Sequence, residues 1–315
     1  MNSEGEPGFD SVNVSLRQSK NGECMNEDRP RHIIERLAWE QAYRWLTHQR
    51  RHAPANADIW HLRFHWQTRK ERLWQQVSNG DYRLMPMQRI DTQHTAVVMW
   101  SSSDALVLKW LTLCIMPYLP RHPACRHLKN HGGVSGSLTR VRSAVLSNEY
   151  RYVFRTDIRG YYAHFSKSRL LAWLFTRIEH PVYRDLLTQY VHYSVEWGGE
   201  FFTPTSGIAR ACSLSPLLGG CYLYHVDEAM SGLQHLLYER YMDDFLLLSP
   251  TRWPLRRAIA RLNGFLADDG FEKHPDKTQI GQIANGYSWL GRWFTNSTEC
   301  VMTTTEVVKK SACRC

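Results

Sequence analysis

Three carboxylates, at positions 157, 243 and 244, are the side chains whose type and setting point most directly to chemistry. Asp243 and Asp244 end the tetrapeptide Tyr241-Met242-Asp243-Asp244, with Leu236-Leu237-Tyr238-Glu239-Arg240 before it and Phe245-Leu246-Leu247-Leu248 after it. Two strand-like apolar runs flanking paired acids read as a β-hairpin with carboxylates at its turn. A lone Asp-Asp commonly serves as a solvated turn former; hydrophobic strands pressed against it argue for a more constrained setting. Asp157 stands in Phe154-Arg155-Thr156-Asp157-Ile158-Arg159-Gly160-Tyr161-Tyr162, where Val153 and Phe154 read as the end of a strand. An acid at a strand end beside a pair at a hairpin turn can cage two divalent cations ~3.5–4 Å apart. Such ions clamp the attacking and leaving oxygens of an in-line phosphoryl displacement. Mg²⁺ suits these oxygen ligands, with Mn²⁺ as the alternative.

The elements that must position these acids are mixed. Residues 1–29 are polar and read as a flexible arm. From Arg31, Ile34, Leu37, Ala38, Ala42 and Trp45 recur at helical spacing. A second helix is expected from Asp58 to before Asn79-Gly80, carrying Leu62, Phe64, Trp66, Leu73 and Trp74. Tyr82 to Val98 reads as short strands and turns, and Asp104 to Met116 as a buried helix closed by Pro117 and Pro120. Gly132-Gly133-Val134-Ser135-Gly136 reads as a loop before a helix of Leu138, Val141 and Val145; without the Lys-Ser/Thr ending it is not a phosphate-binding loop. The expectation is one continuous α+β body with subdomains.

Bulk properties set the partner class. Of 315 residues, 39 are Lys or Arg and 30 Asp or Glu, a formal charge of +9 that suits a polyanion. The eight cysteines lack zinc-like pairing: His122, Cys125 and His127 crowd together, but no second ligand pair follows at metal spacing. No apolar run reaches transmembrane length and no signal peptide is evident, so a cytoplasmic chain with reduced thiols and no membrane partner is expected.

The motif order resembles bacterial reverse transcriptases of the group II intron and retron type over roughly residues 31–295. The acids at 157 and 243–244 are joined by Gly207-Ile208 with Leu214-Ser215-Pro216-Leu217-Leu218, similar to a template- and nucleotide-contacting segment. Gly270, then Lys277-Thr278, resembles the next motif, and Tyr287-Ser288-Trp289-Leu290-Gly291 the primer-grip hairpin; Gly80-Asp81-Tyr82-Arg83 and Asp104–Leu111 resemble the fingers. The resemblance implies a right-hand polymerase. Its fingers and helical N-terminal extension would span 30–150 and its palm 151–295, with an antiparallel sheet, the YMDD hairpin and a fingers insertion around 165–205. Residues 296–315 would leave a rudimentary thumb. It further implies metal ligation by Asp157, Asp243, Asp244 and the backbone at Ile158, and a triphosphate cradle at Ile158, Arg159, Gly160 and Tyr161. Tyr162 would be the gate against a ribose 2′-OH, and Lys277 the proton donor to pyrophosphate. Gly207, Ser215, Pro216, Tyr241, Met242, Trp289, Leu290 and Gly291 would contact primer or template. The implied partners are deoxynucleoside triphosphates, a template RNA (a dedicated non-coding RNA) and the DNA product.

Two departures matter. Gly207-Ile208-Ala209-Arg210-Ala211 places Arg210 where the family has Gln, a charged fork in place of a neutral amide. No basic residue precedes the His94–Trp100 stretch in the usual place, leaving Arg89 as the substitute triphosphate contact. The short tail suggests that a protein partner, a second copy or a structured RNA supplies grip. Retron, maturase and diversity-generating signatures are missing, so the resemblance implies a stand-alone, defence-associated (antiphage) enzyme. Template-independent or protein-primed DNA synthesis by the same site, and a non-catalytic RNA-binding scaffold, stay open as alternatives.

Overall fold

The computed structural model describes residues 28–91 and 96–296. The expected arm up to residue 27, the loop at 92–95 with His94 and Thr95, and the tail beyond 296 lie outside the described residues. Asp28 and Arg29, assigned to the arm, begin the first helix.

That helix, α1 (Asp28–Gln49), buries Ala38, Trp39, Ala42 and Leu46. Ile34 and Leu37, read as part of its apolar face, are 64% and 65% exposed. Trp39 sets the rotation: its indole meets Trp74 at 5.6 Å and Trp110 at 6.3 Å between ring centroids, edge to face. The expected second helix is two, α2 (Asp58–Phe64) and α3 (Trp66–Ser78), broken at His65. Trp66 restarts the helix with Tyr43 stacked 3.7 Å away, while Phe64 is left 83% exposed.

Next come β1 (Met87–Asp91), β2 (Ala96–Met99) and α4 (Ser102–Ile115). Ser101 caps α4: its hydroxyl oxygen accepts from the Asp104 amide and its O–H donates to the Asp104 carboxylate. Pro117 lies just beyond the helix end. The Gly-rich stretch expected as a loop is instead the first turn of α5 (Gly133–Leu146), entered through Gly132 at φ +89°.

The chain continues through β3 (Tyr152–Asp157), α6 (Lys167–Phe175), α7 (Pro181–Val191), β4 (Val195–Trp197) and β5 (Glu200–Phe202). It then forms α8 (Leu214–Tyr222), α9 (Tyr224–Ser231), β6 (Leu237–Tyr241), β7 (Asp244–Ser249), α10 (Arg252–Asp268), β8 (Gln279–Gln282), β9 (Tyr287–Trp289) and β10 (Arg292–Phe294).

One four-stranded sheet runs β2-β1-β4-β5, with β1 and β4 parallel, so the segment before α4 is stitched to the one after α7. The other runs β6-β7-β3-β8, antiparallel throughout. Its side chains alternate between two cores, as strand geometry requires. Phe154, Phe245 and Leu247 join the main core with Leu255, Ala258 and Leu262 of α10. Val153, Leu246 and Leu248 face a smaller core with Val141 and Val145 of α5 and Tyr287, Trp289 and Phe294 of the β9–β10 hairpin. Both faces are covered, which explains why these strands read as unbroken apolar runs.

Candidate active site

The β6–β7–β3 register brings the three acids together. Tyr241 pairs with Asp244, leaving Met242 and Asp243 as a two-residue turn, and Asp244 pairs directly with Asp157 on β3. The Ile158 amide donates to the Asp243 carbonyl at 3.1 Å, tying the turn to the end of β3. Asp157 is buried, and Asp243 and Asp244 are half-buried.

Their charges are held in tension. Burial, then the neighbouring Asp157 carboxylate, pushes Asp243 up to about 6. Burial also raises Asp244, although Arg155, 3.6 Å from its carboxylate, opposes the shift. Lys277 Nζ donates to Asp157 Oδ2, and that hydrogen bond raises the lysine above its ordinary value. The Asp157 carbonyl accepts from the His274 amide at 2.7 Å.

Around the acids lie most of the segments singled out from sequence. The Arg159 amide donates to Glu272, and Gly160 takes φ +57°. Tyr161 is buried, its hydroxyl donating to the Gly219 carbonyl at 2.7 Å. Tyr162 is half-buried, and burial, then the charge of Asp243, raises its hydroxyl above its ordinary value. The guanidinium of Arg210 lies 5.8 Å from its ring. Gly207, at φ +82°, is required, because a Cβ would stand 2.8 Å from the Tyr162 and Ala163 carbonyl oxygens. Ser215 donates to the Arg210 carbonyl at 2.9 Å, bracing the loop that carries Arg210.

Arg89 falls on the other sheet, its guanidinium 4.1 Å from the Trp197 ring centroid. Trp289, expected to touch a primer, is fully buried, with its indole N–H donating to Ser137 at 3.0 Å. Its surface is spent on the smaller core, so it positions the hairpin while Leu290 and Gly291, both at positive φ, form the turn. Residues that the sequence reading passed over also reach the site. Arg155 joins Ser288 of β9 to Asp244. His127 and Arg240 bond the Met242 backbone. Arg240, a charge inside an apolar strand, was one available signal; the crowding of His127 with His122 and Cys125 was another, read only for metal spacing.

The match to known proteins follows this layout. Residues 103–294, more than half the chain, match the family model described as reverse transcriptase (RNA-dependent DNA polymerase). The chain belongs to the reverse transcriptase family. Solved structures similar to this chain include apo telomerase from Candida tropicalis, truncated from its C-terminal domain, at a TM-score of 0.41 and 14% identity. That likeness covers 52% of this chain and 40% of the telomerase chain. No curated protein matches. Among the described residues, no helix is long and apolar enough to cross a membrane.

Proposed function

We propose that this chain is an RNA-directed DNA polymerase whose reaction centre is built by Asp157, Asp243 and Asp244. The supporting observation is the strand register that sets the carboxylate at the end of β3 against the hairpin acids. The donors fit hard divalent cations, being carboxylate oxygens crowded enough to raise Asp243. Asp157 is paired with Lys277 and Asp244 with Arg155, and among the described residues no three His, Cys, Asp or Glu side chains are grouped closely enough to hold a metal without rearranging. Asp157, Asp243 and the Ile158 carbonyl would hold the ions, with Asp244 assisting. When bound, Mg²⁺ or Mn²⁺ would neutralise phosphate charge and lower the barrier to in-line displacement.

The remaining roles belong to the chain itself. Lys277, charged and mostly exposed, holds a proton at Nζ for the pyrophosphate leaving group. Tyr162 offers its half-buried ring as the wall against a 2′-OH, and Arg210 above it can take a phosphate or base edge. The sheet β6-β7-β3-β8 serves as palm, and the sheet β2-β1-β4-β5 with α6 and α7 as fingers. The template is RNA, in line with the family's description and the +9 charge.

Extension of a DNA primer annealed to RNA, with Mg²⁺ and labelled dNTPs or NTPs, tests this reading. The expected product is DNA, lost when the template is digested first. Tyr162→Ala is expected to raise ribonucleotide use by about 10–100-fold relative to dNTPs, since a steric wall is worth a few kcal/mol. Template-resistant synthesis would move the function to terminal transfer, and no synthesis at all to an RNA-binding scaffold.

A further inference from the structure

From its first turn to past its middle, α10 carries Arg252, Trp253, Arg256, Arg257 and Arg261, all exposed, with Trp253 at 71%. The pairs 252/256 and 257/261 place like charges one turn apart, and Arg252 stands in the first turn at the positive end of the helix dipole. Among the described residues none of the four arginines has an acidic partner. Their company is aromatic: Arg252 lies 5.4 Å from the Tyr152 ring and Arg256 5.5 Å from that of Trp253. Next to them a cavity of about 610 Å³ opens toward the edge strand β8, lined by Leu255, Ile259, Ile280 and Tyr152 with Arg252 and Arg256. Tyr152 is at the opposite end of β3 from Asp157, five residue steps or about 17 Å away.

We propose that this face binds a single strand of nucleic acid outside the catalytic cleft, with phosphates on the arginines and a base in the cavity. An unpaired basic stripe lowers the stability of its own helix, and phosphate is the ligand that relieves it. The exposed ring of Trp253 and the half-buried ring of Tyr152 beside these arginines offer faces on which bases stack without regard to sequence. The polymerase reading supplies only the partner class, and template RNA and DNA product share the chemistry. Anisotropy of a labelled single-stranded RNA, and of a DNA of the same sequence, across a KCl series tests the surface with the full chain. Replacing all four arginines by Gln is expected to weaken binding at least ~10-fold and reduce the salt slope by about 3. Extension of a short annealed duplex is expected to stay at the wild-type rate. The stronger of the RNA and DNA arms names the source. Unchanged affinity and slope overturn the proposal, as does an equal loss on the short duplex, which would put the arginines in the cleft. Failure of wild-type extension alone would strike the polymerase reading and leave the binding result standing.

A second, independent observation concerns the turn itself. Met242 has φ +55°, at a position hairpins ordinarily fill with Gly, Asn or Asp. Both of its peptide groups are gripped from inside. Its N–H donates to His127 Nδ1 at 3.0 Å, and its carbonyl accepts from Arg240 Nη1 at 2.8 Å. His127 Nε2 donates to the Pro216 carbonyl at 2.9 Å, and Arg240 Nη2 to the Gly220 carbonyl at 2.7 Å. Gly220 lets the loop approach closely: a Cβ there would stand 2.6 Å from the Leu128 side chain and 3.0 Å from His127 Nε2 and would displace them. One imidazole and one guanidinium therefore fasten the turn bearing Asp243 to helix α8.

We infer that His127 is a positioning residue that holds the Met242–Asp243 turn in its reactive shape. The two ring nitrogens do different jobs, so two amides separate them. His127→Asn can keep an acceptor near Nδ1, and His127→Gln a donor near Nε2. Expected results are a ~10–100-fold fall in kcat with little change in the KM for dNTP in His127→Gln, and recovery of at least ~10-fold of that loss in His127→Asn, at similar Tm. Equal kcat in the two variants, or losses that track Tm, would reduce His127 to a packing role.

Discussion

Asp243→Asn is expected to abolish nucleotide incorporation while making the cation-free protein more stable at about pH 8. The loss should reach about three orders of magnitude, since a ligand to the reacting centre supplies several kcal/mol to the transition state. The gain follows from the acid's setting. Burial and Asp157 raise Asp243 from 3.8 to about 6, so the folded protein holds its proton more tightly than the unfolded chain does. Between those values stability falls as pH rises, and above about 6 the whole penalty is present. Asn carries no charge and escapes it, for a gain of about 1–2 kcal/mol after allowance for partial exposure. Below about pH 3.8 both proteins are neutral at this position, and the difference should vanish. Asp157→Asn should lose activity as severely without the gain, because it also loses its Lys277 partner. Thermal melts in EDTA across this pH range, with incorporation assays in Mg²⁺, check both halves. Activity above about a hundredth of wild type in Asp243→Asn would remove this residue from the chemistry.

The hairpin was legible because its strands are buried on both faces, so Leu236–Leu237 and Phe245–Leu248 stand out against the polar turn. The placement of Asp157 followed from the same logic on β3. Rotations were not legible. Ile34 and Leu37 fit a helical apolar face, yet the bulk of Trp39 turned α1 so that they point outward. The break at His65 and the helical start at Gly133 have no strong local signal, since neither Pro nor a capping side chain marks them. Trp289 stands in a run that resembles a primer grip and reads equally as a packed hairpin; its indole fills the smaller core against Ser137. The grip on Met242 was the least legible feature. It joins residues 127, 216, 220, 240 and 242, and no spacing rule connects a loop histidine to a turn more than a hundred positions away.

Breaking the ion pair beneath that turn is expected to cause the largest loss of stability. Arg240 and Asp227 are both fully buried, with Arg240 Nε donating to Asp227 Oδ1 at 2.6 Å and Nη2 bonding Oδ2. Tyr238 donates to the same carboxylate at 2.7 Å. Asp227→Asn would leave the guanidinium buried without a counter-charge, and Arg240→Met would do the same to the carboxylate. Each is expected to destabilise by about 3–5 kcal/mol, read as a drop in the denaturant midpoint. The double variant Asp227→Leu with Arg240→Met removes both charges and should be less destabilised than either single, because nothing ionised is stranded. Its activity should nonetheless stay low: the Met242 and Gly220 carbonyls would have lost Arg240, and the Asp243 turn its hold on α8. A double variant that regains stability and full kcat would make the pair a structural element alone. Regained stability with kcat still depressed would separate what this arginine does for the fold from what it does for the turn.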